Sequence, residues 1–158
     1  MNTSEDQKDF LAVTHEAVLT ACMDDRYHPE YAAALLEAIG VKTYFLIANA
    51  GGGGRFSKLD HGPESANDLP QIKLAIKEKG AKIVIAATHV NGCAGYAAGE
   101  FKFDDQTVEE TFHAAEAQQI KERLEKELRG EFPDITIITG YFRKNPDTGK
   151  AQFVVVAK

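Results

Sequence analysis

Short apolar runs alternate with amphipathic segments along this chain of 158 residues, and the alternation restricts the fold. The apolar runs are rich in β-branched and aromatic residues, which is typical of strands. The predicted strands cover residues 17–21, 43–48, 82–88, 135–142 and 152–157. The segments between them repeat apolar residues at helical spacing and predict helices at 31–39, 69–79 and 108–129. Such alternation predicts the α/β class, with a mostly parallel central sheet flanked by helices.

Turn residues indicate where these elements end. Pro29 stands where the first helix should begin, and Gly40 and Gly80 follow the last residues of the first two helices. A turn predicted at 145–149 joins the last two strands, so we expect the C-terminal strand to be an antiparallel edge strand. The glycines at 51–54 predict a loop with close backbone approach, since no Gly-Lys-Ser/Thr follows them as in a phosphate loop.

Composition and charge narrow the range of partners. A hydrophobic fraction of 44% and a charged fraction of 27% suit one domain with a real core, preceded by a short N-terminal segment at 1–14. The net charge of −6 argues against nucleic acid as a partner. No apolar run approaches the ~20 residues that span a membrane, and the polar start does not resemble a secretory signal. We therefore expect a cytoplasmic protein, with the charged residues of the 108–129 helix forming a solvated face.

The chain has only two cysteines, and each follows a predicted strand. In open α/β sheets, ligands bind outside the carboxyl ends of the strands. A reducing cytoplasm argues against a disulfide between Cys22 and Cys93, so metal binding or thiol chemistry is the better use for them. Taken alone, Cys22 fits a buried, inert thiol at a strand end better than a metal ligand, because free cysteines are usually buried and inert.

Both cysteines have neighbours in the sequence that could take part in a reaction or bind a metal. Alternate residues of an extended segment share a face, so Asp24 and Arg26 should lie on the same side as Cys22, with Arg26 gripping Asp24. His89 precedes Cys93 by four residues, and Gly92 gives the backbone freedom to turn both side chains inward. Two thiolates and an imidazole are a standard ligand set for an open catalytic zinc site, so a metal site is predicted here.

Three short motifs occur in order, each just after a predicted strand. They are Cys-x-Asp-x-Arg at 22–26, Asn-Ala-Gly at 49–51 and the histidine–cysteine pair within 89–93. Together they resemble the signatures of the β-class carbonic anhydrases. The similarity runs from about the first strand to the C-terminus, and the chain resembles a short, divergent member of that family.

The resemblance implies a site and an activity. Cys22, His89 and Cys93 would bind one Zn²⁺ per chain, and Asp24 and Arg26 would be the catalytic pair at the fourth, exchangeable position. The implied reaction is the reversible hydration of CO2 to bicarbonate by a hydroxide on the metal. In some members the aspartate itself ligates zinc and closes the site, and Asp24 could do the same. The family also implies a homodimer or a higher homo-oligomer.

The sequence departs from the family pattern in three places. The histidine and cysteine are spaced His-x-x-x-Cys, one residue longer than usual, and we expect Gly92 to let the loop bulge. Ala48 stands where many members carry arginine, and the segment before the first strand is short. His28, just after the catalytic pair, is a candidate proton relay, although histidines are common at exposed helix starts.

Two alternatives to CO2 hydration remain open at this level. Relatives of the family hydrolyse CS2 or COS, which are linear molecules open to attack by the same zinc hydroxide. A metal-free α/β binding or regulatory module with structural cysteines is the other, and the longer spacing between His89 and Cys93 is its best support.

Overall fold

The computed structural model describes residues 14–59 and 67–158, and within them five strands form one sheet. The strands are β1 (Ala17–Cys22), β2 (Tyr44–Asn49), β3 (Ile83–His89), β4 (Thr136–Lys144) and β5 (Ala151–Ala157). Their order across the sheet is β2-β1-β3-β4-β5. All neighbours are parallel except β4 and β5, which pair antiparallel. The predicted sheet, including its antiparallel C-terminal edge, is confirmed, and the strand ends differ from the prediction by one or two residues.

Within these described residues, four α-helices connect and flank the strands. They are α1 (Tyr31–Ile39), α2 (Asp68–Lys79), α3 (Ala94–Ala98) and α4 (Gln106–Leu128). The first two end at Gly40 and Gly80 as predicted, and the Asp105 side chain caps α4 by accepting a hydrogen bond from the Val108 N–H at 2.9 Å. The five-residue α3 was not predicted, because its Ala-Gly-Tyr-Ala-Ala sequence is too short to show a helical period.

The strand β1 lies inside the sheet between two apolar layers, and all six of its residues are buried. Because successive side chains of a strand point to opposite faces, Leu19 packs with Tyr31 and Leu35 on one side. Val18 packs on the other side with Ile72 of α2 and with residues of α4 such as Leu124. A strand covered on both faces carries a continuous apolar run, which is why this run was readable in the sequence.

The glycine-rich segment after β2 differs from the predicted loop. It forms a buried 3-10 helix, Gly52–Phe56, against the ends of β1 and β3. A Cβ at Gly53 would lie 2.8 Å from the Ala87 nitrogen, and one at Gly52 would lie 2.7 Å from the Cys22 nitrogen. The predicted close approach of the backbone therefore occurs. The polar loop that follows continues into residues 60–66, which lie outside the described residues, as does the N-terminal segment at 1–13.

The predicted solvated face of the long helix is only partly correct. Ion pairs spaced four residues apart, such as Lys121–Glu125 at 2.5 Å, do line its outer face. Glu109 and Glu116, however, are buried, with 6% and 1% of their surface exposed. Within the described parts of the chain, no helix combines the length and apolar character needed to cross a bilayer.

Candidate metal centre

The carboxyl ends of two neighbouring parallel strands bring the predicted ligands together. Cys22 is the last residue of β1, and His89 is the last residue of β3. Cys93 follows four residues later as the N-cap residue of α3. The ligand atoms of these three buried residues all lie within 4.8 Å of one another. The sheet topology therefore places two thiols and an imidazole at one point, although they are far apart in the sequence.

The separation of the two sulfurs suits a shared metal ion. Both cysteines are free, and their Sγ atoms lie 3.7 Å apart, too far for a disulfide. Two thiolates at about 2.3 Å from a tetrahedral zinc ion would lie roughly 3.8 Å apart. The observed spacing is therefore the one that a tetrahedral zinc site needs.

The His89 ring is oriented for ligation by its Nε2 atom. Its Nδ1 lies 2.8 Å from the Val90 carbonyl oxygen, which accepts a hydrogen bond from the Nδ1–H tautomer. Nε2 is buried and has no hydrogen-bond partner among the described residues. The Tyr27 ring stacks on the imidazole with the ring centroids 4.8 Å apart. A ligating histidine is commonly fixed in this way, with one nitrogen bonded to a carbonyl and the other free for the metal.

Backbone amides surround the sulfurs. The Gly51 N–H faces the Cys22 sulfur, and the N–H groups of Gly95 and Tyr96 face that of Cys93. The hydrogen bond from the Cys93 thiol lowers the pKa of Cys22, and the same contact together with burial raises the pKa of Cys93. The metal-free pair thus favours a single negative charge. A divalent cation would take both groups as thiolates and release the remaining proton.

Asp24 and Arg26 form a bidentate pair next to the ligands. The Arg26 Nε and Nη2 atoms donate to the two carboxylate oxygens of Asp24 at 2.9 and 2.6 Å, and the Arg26 backbone N–H adds a third bond at 3.0 Å. These hydrogen bonds lower the pKa of Asp24 to about 2, so the carboxylate stays ionised. Its Oδ2 atom lies 3.5 Å from the His89 Nε2. The predicted pair therefore lies directly beside the predicted ligands.

The longer loop between His89 and Cys93 contains two residues with a left-handed backbone conformation, which let it turn back towards the ligand cluster. Asn91 has a φ of 67° and Gly92 a φ of 75°. The Arg26 guanidinium donates to the Asn91 and Gly92 carbonyl oxygens at 2.7 and 3.1 Å. The expected bulge at Gly92 is present and extends to Asn91, so the extra residue does not separate the ligand atoms.

Three residues that contact this centre were not singled out from the sequence. The Glu109 carboxylate accepts hydrogen bonds from the Asn91 and Gly92 N–H groups at 2.9 and 3.1 Å. The Tyr31 hydroxyl donates to the Cys22 carbonyl oxygen at 2.7 Å, and the Tyr27 hydroxyl donates to the Val90 carbonyl oxygen at 3.2 Å. Each contact joins separate elements, so no local motif could have revealed it.

The other described histidines do not join the ligand cluster. His28 is exposed, and its ring packs edge-on against Tyr31 with the centroids 5.8 Å apart. His113 is fully buried beside Tyr96, and burial lowers its pKa to about 3, so it is neutral. His61 lies outside the described residues.

Comparison with known proteins gives structural matches only. The sequence matches no protein-family model and no curated protein. Seventeen chains of solved structures are similar. A tetrameric β-carbonic anhydrase from Sordaria macrospora is 15% identical over 95% of this chain and 85% of its own, with a TM-score of 0.50. A carbonic anhydrase from Streptococcus mutans is 19% identical over 98% of this chain and 99% of its own, with a TM-score of 0.45.

A carbon disulfide hydrolase in its apo form is also among the similar structures. It is 14% identical over 94% of this chain and 86% of its own, with a TM-score of 0.44. The chain has the fold of the β-carbonic anhydrases. This follows from its strand order, its helices and its antiparallel edge, together with its similarity to the Sordaria protein.

Proposed function

We propose that this protein is a zinc-dependent carbonic anhydrase that catalyses the reversible hydration of CO2 to bicarbonate. The observation that carries the proposal is the convergence of three buried ligand atoms with the ionised Asp24–Arg26 pair beside them. A fold alone does not imply an activity, so the argument depends on this arrangement of residues.

Cys22, His89 and Cys93 are the proposed ligands of one Zn²⁺ per chain. The 3.7 Å spacing of the sulfurs and the unpartnered, buried His89 Nε2 support the fit. When bound, zinc would supply a Lewis acid that lowers the pKa of a water molecule towards about 7. With only three ligands from the protein, the ion would still be able to bind that water or the substrate.

Asp24 is proposed to orient the nucleophilic water. An ionised carboxylate can only accept hydrogen bonds, so a water beside Asp24 must direct a proton at it and keep a lone pair for the substrate carbon. Arg26 engages both carboxylate oxygens and keeps the carboxylate from rotating. An Asp24 that instead ligated the metal would have to give up part of this bidentate pair, so the arrangement supports a site open to water.

The protein is further proposed to form a cytoplasmic homodimer or a higher homo-oligomer. The Sordaria β-carbonic anhydrase is described as tetrameric. Light scattering on the zinc-loaded protein tests this, and a monomer at micromolar concentration would contradict it.

The experiment that tests the activity combines zinc content with stopped-flow CO2 hydration. We expect close to one zinc per chain in protein purified without chelator, and CO2 hydration that a chelator abolishes. Zinc-loaded protein that releases sulfide from CS2 or COS but leaves CO2 unchanged would show that the same site acts on CS2 or COS instead of CO2. Protein that neither contains nor takes up zinc would favour the metal-free binding module.

A further inference from the structure

We propose that Glu109 is a positioning residue of the metal centre, because its hydrogen bonds hold the lengthened loop that leads to Cys93. The inference rests on the proposed function, since it concerns how this chain holds the proposed metal. Among the described residues, Glu109 makes no hydrogen bond to the three ligand side chains. It acts on the backbone of the two residues immediately before Cys93.

The Glu109 carboxylate uses both of its oxygens on consecutive amides. Oε2 accepts the Asn91 N–H at 2.9 Å, and Oε1 accepts the Gly92 N–H at 3.1 Å. Both residues have a left-handed backbone conformation. This conformation costs a residue other than glycine about 1–2 kcal/mol. Both are also solvent-exposed, and no described atom lies within 4 Å of a Cβ built at Gly92. Packing therefore does not hold this bulge in place, and its hydrogen bonds must.

Arg26 also binds this backbone, through the carbonyl oxygens of the same two residues. Its guanidinium donates to the Asn91 and Gly92 carbonyl oxygens while it also holds Asp24. The peptide group between Asn91 and Gly92 thus lies between the carboxylate, which takes its N–H, and the guanidinium, which takes its C=O. Because a polarised peptide group strengthens both of its hydrogen bonds, Glu109 supports Arg26, and through it the orientation of Asp24.

The carboxylate itself is firmly placed. Glu109 belongs to the first turn of α4, and only 6% of its surface is exposed. Its nearest imidazole nitrogen, His113 Nε2, is 3.9 Å away, beyond hydrogen-bonding distance, so the oxygens remain committed to the loop. The Asn91 side-chain amide donates to the Tyr27 hydroxyl at 2.9 Å and adds a third anchor. A buried residue on a long helix therefore sets the position of an exposed loop.

The test compares Glu109→Gln with Glu110→Gln. The glutamine keeps the shape of the side chain but offers only one acceptor oxygen, so one of the two amides loses its partner. Glu110 is on the same helical turn but contacts Tyr141 and Arg143, away from the loop. We expect Glu109→Gln to weaken zinc binding about 10–100-fold in competition with a chromogenic chelator, as loss of an outer-shell partner does. Glu110→Gln should bind zinc like the unchanged protein.

The visible spectrum of the Co²⁺-loaded protein separates positioning from a general loss of stability. Displacement of Cys93 should shift the thiolate-to-cobalt bands in Glu109→Gln and leave them unchanged in Glu110→Gln. A folded Glu109→Gln protein with the unchanged zinc affinity and cobalt spectrum would overturn the proposal. A protein that binds metal with these differences but hydrates no CO2 would contradict the proposed activity and leave the role of Glu109 standing. A chain that takes up neither zinc nor cobalt would contradict both the proposed activity and the proposed role of Glu109.

Amide hydrogen exchange in the unaltered protein decides the matter even if Glu109→Gln does not fold. The Asn91 and Gly92 amides belong to an exposed loop, yet the contacts to Glu109 predict exchange at least about tenfold slower than that of a free amide. Exchange of both at the free rate would overturn the proposal.

Discussion

The segment after β1 and the loop after β3 reach the same centre by different means. In the first, Asp24 and Arg26 bind each other two residues apart, and the Asp24 carbonyl oxygen accepts the N–H groups of the next turn. In the second, the backbone before Cys93 is held by Arg26 and Glu109, which are 66 and 17 residues away from Gly92. The first geometry is mainly local, and the second depends on the fold around it.

The largest expected effect is loss of a proposed ligand, which disables both regions together. Cys22→Ser or Cys93→Ser should reduce the zinc content from about one per chain to near zero. CO2 hydration should fall at least about 1000-fold, because water is then no longer acidified by the metal. Elemental analysis and stopped-flow assays check this. Full zinc occupancy in either variant would remove that cysteine from the ligand set.

A smaller effect should separate catalysis from metal binding in the segment after β1. Asp24→Ala should keep its zinc and lower kcat about 100-fold or more, since misplacement of a reacting group typically costs about that much. The matched control is Asp25→Ala, which removes an adjacent carboxylate that is exposed to solvent. Unchanged turnover in Asp24→Ala would refute the proposed role of the pair.

The same contrast explains how much the sequence could reveal. The spacing of Cys22, Asp24 and Arg26 fixes their relative placement over a few bonds, so the pair was predictable from the pattern. The sheet was predictable because its buried strands are continuous apolar runs. The burial of Glu109 was not, because its partners are backbone amides of a loop that becomes its neighbour only when α4 packs on the sheet. Nor was the short α3, because five residues are too few to show a helical period.

The loop after β3 should be sensitive to backbone strain alone. Gly92→Ala meets no described atom within 4 Å, so its cost comes from the φ of 75° and should be about 1–2 kcal/mol of unfolding free energy. Gly149→Ala is matched, with a φ of 69° and open space, in the turn between β4 and β5. Denaturant unfolding should show similar losses in both, while only Gly92→Ala weakens zinc binding. Equal zinc affinities would show that the loop tolerates strain without moving Cys93.

The smallest effects should come from two buried tyrosine hydroxyls, one bonded to the loop after β3 and the other to the end of β1. Tyr27→Phe removes the contacts to the Val90 carbonyl oxygen and the Asn91 side chain, and Tyr31→Phe removes the contact to the Cys22 carbonyl oxygen. Each should cost roughly 1 kcal/mol of unfolding free energy. Only Tyr27→Phe should alter the cobalt spectrum, because the backbone around Cys22 stays fixed by the pairing of β1 with β2. A spectral change in Tyr31→Phe alone would reverse the comparison and show that the strand end, not the loop, is the easily displaced side of the centre.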